Sequence, residues 1–188
     1  MSREPQIKGF AIRGLLKFVK ESSYAGGIPS LLEKLPIDAQ PFFRERILSS
    51  LWYPYAAFSA LARTIESEMG AGDVALLEDI GRLSGRQDLG GIFRFITAIL
   101  TVERVVNRSP AFWNRYCDSG ELEVVESGQG RFTVRLKDFP KIDRAHCHMI
   151  TGWIRGLGEG TGVKNFESRK VRCVHSGDSW CEYQGTWS

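Results

Sequence analysis

The sequence predicts an α+β fold: a helical N-terminal half packed on a small four-stranded antiparallel sheet. Apolar residues recur at three- and four-residue spacing through most of positions 1–117. From Leu122 onward the period drops to two, in two pairs of short runs that each contain a turn signal. A helical stretch lies between the pairs, so the C-terminal end reads strand-strand-helix-strand-strand. That order suits α+β rather than a wound parallel sheet. The 188 residues suffice for one domain with a sizeable core, with helices in 1–117 and the sheet-bearing part in 118–188. No repeat, low-complexity tract or linker divides them.

In order, Ile7, Phe10, Ala11, Leu15, Phe18 and Val19 mark an amphipathic helix over 7–20, ended by Gly26-Gly27. Pro29 opens a short helix that stops before Pro36. Asp38 caps a third, with Pro41 in its first turn. A helix from Pro54 to Gly70 buries Phe58, Leu61, Ile65 and Met69. Asp73 caps the next, which Ser84-Gly85 ends. Asp88 caps a longer one carrying Ile92, Phe93, Ile96, Ile99, Leu100 and Val106. Ser109-Pro110 reads as a cap with proline at the first helical position, starting a short helix to Cys117.

Leu122, Val124 and Val125, then Gly128-Gln129-Gly130, then Phe132, Val134 and Leu136 form the first hairpin. Asp138-Phe139-Pro140 opens a helix to about Gly156, with Ile142, Ala145, Met149 and Trp153 on one side. Gly156, Gly158, Gly160 and Gly162 read as a flexible connection. They follow a helix and precede a strand, the reverse of a phosphate cradle.

The closing stretch 172–183 reads as a second hairpin around Ser176-Gly177-Asp178-Ser179. A two-residue turn at Gly177-Asp178 pairs 173 with 182 and splits Cys173 and Cys181 between faces. A three-residue loop, 177–179, pairs 173 with 183 and puts both cysteines on one face. The polar alternation favours the latter, with Val171, Cys173 and His175 on a shared face.

Composition narrows the function classes. Hydrophobic residues at 43% and charged residues at 25% are ordinary for a globular protein, and a net charge of +3 with no basic run argues against nucleic acid. No apolar stretch is long enough to span a membrane, and Lys8, Arg13 and Lys17 interrupt any signal-peptide core, so a cytoplasmic protein is expected. There, Cys117, Cys147, Cys173 and Cys181 are free thiols or ligands rather than disulfides. No Gly-x-Ser-x-Gly or His-Glu-x-x-His occurs, and nothing asks for catalysis. The aromatic inventory points to a pocket, with Trp52, Tyr55, Phe58, Phe93, Trp113, Phe132 and Trp153 as candidate lining and Arg94 as a polar group; Arg104 and Arg135 are further polar candidates.

Residues from about 54 to 187 resemble the 4-vinyl-reductase domain, a small-molecule-binding module. The match lies in the helical run to Leu100–Asn107, the hairpin 121–136, the helix carrying Cys147, and Cys173-x7-Cys181 around Gly177-Asp178. Ile7-Lys8-Gly9-Phe10 followed by an amphipathic helix is similar to the opening of haem nitric-oxide-binding domains, which share a superfamily with the TRAPP tethering subunits. The whole chain also resembles a myxobacterial family of unknown function. These resemblances imply a bacterial sensory domain that holds a small, mainly apolar ligand between helices and sheet. The alternative from another class is a ligand-free dimerisation or signalling-interaction module. A weaker third is a haem or metal sensor.

The 4-vinyl-reductase resemblance implies a metal role for Cys147, Cys173 and Cys181, with His175 as a fourth zinc ligand. No Cys-x2-Cys supports it locally, and buried thiols are the competing reading. On a helix, at most one of His146 and His148 can turn inward with Cys147. Haem is expected to be absent: 92–116 holds no histidine, and Phe132-Thr133-Val134-Arg135-Leu136 lacks the Tyr-x-Ser-x-Arg of the haem-binding relatives.

Overall fold

The structure, a computed structural model, describes residues 3–92, 101–139 and 141–188. Strand β1 (Gln6–Lys8) leads into helix α1 (Gly9–Glu21), helix α2 (Gly27–Glu33) and a 3-10 turn at Gln40–Phe43. Strand β2 (Trp52–Pro54) returns antiparallel to β1, pairing Ile7 with Tyr53. Three residues per strand are too few for a period-two signal, so this small sheet was not legible in the sequence. Helix α3 (Tyr55–Gly70) follows, then α4 (Ala75–Ile92) and α5 (Val102–Tyr116). Strands β3 (Glu121–Gly128) and β4 (Arg131–Lys137), helix α6 (Arg144–Gly160), and strands β5 (Glu167–Arg172) and β6 (Cys181–Thr186) complete the chain. The second sheet is antiparallel with strand order β3-β4-β6-β5. The α+β architecture is therefore as the sequence predicts. No helix among the described residues is long and apolar enough to cross a membrane.

Several boundaries differ, each for a physical reason. Helix α4 does not stop at Ser84-Gly85. Gly85 sits where a Cβ would lie 2.3 Å from the Trp153 carbonyl oxygen, so it is a packing glycine rather than a terminator. Helix α5 starts earlier than Ser109-Pro110, with the Thr101 hydroxyl accepting from the Arg104 N–H, and Pro110 lies inside it. The stripe from Phe93 to Leu100 falls outside the described residues.

Helix α6 runs through Gly156, Gly158 and Gly160 rather than breaking there. A Cβ on Gly158 would meet the Phe166 ring at 2.0 Å, and one on Gly152 would meet the Glu78 carbonyl at 1.8 Å. The glycines let α6 touch its neighbours, so the expected flexible connection shrinks to a turn at Thr161-Gly162.

The last hairpin takes neither expected loop. Lys170 pairs with Tyr183 and Arg172 with Glu182, with a bulge at Val171. The loop carries a 3-10 turn at Val174–Ser176, and the Asp178 carboxylate accepts from the Cys173 N–H at 2.8 Å. Cys173 and Cys181 are still both buried, while Val171 and His175 are exposed.

Candidate functional site

Consecutive residues on a helix point in different directions, and α6 uses this to serve two sites. His146 faces the helical half; Cys147 faces the sheet.

His146 is buried in a box of aromatic rings. Trp113 stacks on it at 5.8 Å, Phe58 meets it edge-on at 5.0 Å, and Tyr55 and Phe139 close the remaining sides. Its Nδ1 lies 3.0 Å from the Tyr55 hydroxyl, which accepts the Asp143 N–H at 2.9 Å. The Tyr55 oxygen is thus the acceptor for the backbone, and its own proton goes to Nδ1. His146 is then the neutral tautomer protonated on Nε2. Burial agrees, pushing its pKa down to about 3. Asp143 caps α6 by accepting from Ala145 N–H and pairs with Arg63, which fixes this end of the helix.

The imidazole borders an apolar cavity of about 60 Å³ between α1, α3, α4, α5 and α6. Phe58, Trp113 and Trp153 of the aromatic inventory line it. Met149 and Ile150 add to the wall from α6, Ile7 and Ala11 from the N-terminal segment, and Tyr116 from α5. His146, Met149, Ile150 and Trp153 form an i, i+3, i+4, i+7 stripe, and reading that whole stripe would have found the histidine.

Other expected lining residues lie elsewhere. Tyr55 acts through His146. Phe132 borders a second cavity of about 20 Å³, and Trp153 forms part of both walls. Trp52 is half-exposed under the Lys8 ammonium, 4.1 Å from its ring centre. Arg135 turns to the outer face of the sheet, where it pairs with Glu182 at 2.6 Å. Phe93 and Arg94 lie outside the described residues.

Asp88, half-buried, ties the cavity wall together. Its carboxylate accepts the Trp153 indole N–H at 2.8 Å and the Tyr116 hydroxyl. Burial raises the pKa of Asp88 and pushes Tyr116 far above the usual phenol range.

On the sheet side the three sulfurs of Cys147, Cys173 and Cys181 lie within 4.8 Å of one another, all buried. Cys147 and Cys181 are 3.8 Å apart. The hydrogen bond from Cys147 pulls the Cys181 thiol down to about 6, helped by Lys170, whereas that bond and burial push Cys147 up. One sulfur of the group is therefore poised to ionise first. Cys173 brings a third donor, and His175 is not among the grouped ligands. Exposed on the 3-10 turn, His175 does not take the fourth position expected for it. The Tyr183 hydroxyl, on the same strand face as Cys181, is buried without a hydrogen-bond partner among the described residues. His148 faces outward to Glu78, as the helical geometry requires. Cys117 is buried and raised by that burial, a structural thiol.

No family model and no curated protein matches the chain. Solved structures do match, over nearly its whole length. An H-NOX protein from S. oneidensis in the Fe(II)NO ligation state aligns with a TM-score of 0.73 and 12% identity, covering 97% of this chain and 99% of that one. Fe(II) unliganded H-NOX from K. algicida aligns at 0.68 and 11%, covering 97% of each. H-NOX from Shewanella woodyi in the Fe(II)CO state aligns at 0.68 and 12%, covering 96% and 94%. The fold is therefore the H-NOX fold.

This overturns the expectation that haem is absent. A further structure with the fold, at TM-score 0.71, concerns haem distortion in the H-NOX family. The missing histidine of 92–116 does not decide the matter, because α6 brings His146 against Trp113 of α5. The His146 imidazole and the Met149 thioether, both of haem-ligand classes, border one apolar cavity, and the imidazole would bind iron only once its proton has moved off Nε2. The cavity among the described residues is about 60 Å³, so admitting a tetrapyrrole requires the surrounding helices to part.

Proposed function

We propose that the protein is a sensor-type domain that holds a small, mainly apolar molecule between its helices, with His146 orienting it. The observation that carries this reading is a neutral imidazole, fixed by Tyr55, set in an otherwise apolar and aromatic cavity. Ligand sites have this composition: apolar walls and a few placed polar groups.

A second reading, favoured by the haem proteins that share the fold and by the His146–Met149 donor pair, takes haem as the guest. Haem would supply an iron able to bind diatomic gases. The work of this chain would be to hold it through one of those two side chains, His146 once its proton has left Nε2 or else Met149, so that a position stays open for a gas, and to exclude water with Trp113, Phe58 and Trp153.

Beside either guest, we propose that Cys147, Cys173 and Cys181 hold a zinc ion. Thiolate sulfur suits this borderline-soft cation, and the ionisation-prone Cys181 gives it a first ligand.

Native mass spectrometry of freshly purified protein, read with its visible spectrum, tests all three. An organic adduct that Ala11→Leu expels by filling the cavity supports the first reading. A Soret band lost in His146→Ala supports the second. One zinc per chain, absent in Cys181→Ser, supports the third. A bare chain mass, a featureless spectrum and a melt unmoved by apolar compounds would overturn the first two and leave an interaction module. A full metal analysis without zinc would overturn the last.

A further inference from the structure

We infer that the outer groove between α1, α2 and residues 43–49 docks an acidic amphipathic helix of a protein partner. Arg13, Lys17 and Lys20 follow one another at i, i+4 and i+7 on the exposed face of α1. They form a cationic row roughly 10 Å long on helical rise. Arg46 extends the charge across the groove, which has a volume of about 810 Å³. Beneath the cations the floor is apolar, with Leu16, Leu32 and Phe43 contributing.

The cations are weakly committed within the chain. Arg13 reaches the Ser49 hydroxyl at 3.1 Å, and Lys17 reaches exposed Glu21 only at 3.8 Å. Among the described residues, no ion pair engages Lys20 or Arg46. Of the carboxylates in the groove, Asp88 is taken up by Trp153 and Tyr116, which leaves Glu45 as the remaining counter-charge.

A row of cations one turn apart beside an apolar strip complements a helix with carboxylates at the same spacing and leucine-like residues alongside. A fatty-acid headgroup carries one charge and would leave most of the row unneutralised. A nucleic acid would have no use for the floor. The groove also shares a wall with the inner cavity. Phe10, which borders the groove, meets Tyr116 edge-on at 4.3 Å, and Asp88 binds two cavity-lining residues. Occupancy of one site can thus bias the other. This coupling rests on the sensor reading above, whereas the docking does not.

The test is fluorescence anisotropy of the full chain with a labelled helical peptide carrying Glu at i, i+4 and i+7 and Leu beside them. A second peptide carries Lys in place of Glu. Saturable binding of the Glu peptide alone is expected, weakened at least tenfold by K17E/K20E and also by Leu32→Asn, with each variant shown to be folded at the assay temperature by its circular dichroism. Equal binding of both peptides, or indifference to K17E/K20E, overturns the proposal. Indifference to Leu32→Asn also overturns it, as unspecific charge attraction. Oleate that saturates the groove while the peptide does not bind overturns it in favour of a lipid anion. A chain with an empty inner cavity that still binds the Glu peptide separates this result from failure of the sensor reading.

Discussion

The two long faces of α6 are built on opposite principles. Toward α4, the helices meet backbone to backbone. A Cβ on Gly81 would lie 2.0 Å from the Met149 carbonyl oxygen, and one on Gly156 would lie 2.1 Å from that of Arg82; Gly85 and Gly152 make the reciprocal approaches. Glu159 then gathers Arg82, Arg86 and Arg155 at the end of the seam. Toward α1 and α5, by contrast, the helix presents large rings that leave a void beside His146. The difference shows where this fold tolerates change. One face is a rail that fixes the position of α6 to within a methyl group. The other can accept a guest because the rail holds the helix while the rings adjust.

The largest expected effect breaks the rail. Gly152→Ala puts a methyl 1.8 Å from the Glu78 carbonyl, with backbone on both sides and no flexible neighbour to yield. Overpacking of about 3 kcal/mol or more follows. A thermal melt should show loss of the cooperative transition or a drop of about six to twelve degrees. A wild-type melt would mean that α4 and α6 do not sit this close.

Next comes the sulfur cluster. Cys181→Ser and Cys173→Ser each bury a hydroxyl where few partners exist, at a cost of about 1–3 kcal/mol in denaturant titration. Unchanged midpoints would place these side chains in solvent. If zinc is bound, chelation should produce a comparable loss in the wild type and none in the serine variants.

The cavity face gives a pH signature. His146 has a folded pKa of about 3, below the unfolded value of about 6.5. The unfolded chain therefore takes up the proton first. The stabilisation is complete above about pH 6.5 and is lost as the pH falls toward 3, by at most about 1.4 kcal/mol per pH unit. Asp88, raised by burial, works with the opposite sign, so the measurement is the difference between wild type and His146→Gln. The variant should lose stability less steeply between pH 7 and 5. Parallel curves would mean that the imidazole is protonated or exposed in the native state.

Much of this is legible in the sequence. The period change after Cys117, the caps at Asp73 and the β3–β4 hairpin are local signals, and each appears where the sequence put it. The inward-facing cysteines were also readable, though the register that delivers them was not. The Val171 bulge and the 3-10 turn at Val174–Ser176 answer to the Asp178 cap rather than to alternation. The glycine rail was misread as breaks at Gly85 and Gly156, because a glycine needed for close approach has the same letter as one that ends a helix. The stripe of α6 carries His146 itself, but its ring box is hidden for a related reason. Its partners Tyr55, Phe58 and Trp113 arrive from helices far away in the chain, which no local pattern reports.

The smallest prediction separates the two meanings of glycine directly. Gly14 lies inside α1, its φ is helical, and a Cβ there would have Ser84 Oγ at 3.9 Å as its nearest neighbour, an ordinary contact. Alanine removes unfolded-state freedom and costs no space, so Gly14→Ala should stabilise the fold by about 0.5–1 kcal/mol. The same substitution at Gly152 should do the reverse several times over. Both residues sit inside helices. Opposite signs in one set of melts would show that the α4–α6 approach, rather than helix propensity, decides what glycine does in this protein. Matching signs would remove the rail from the account of how α6 is held.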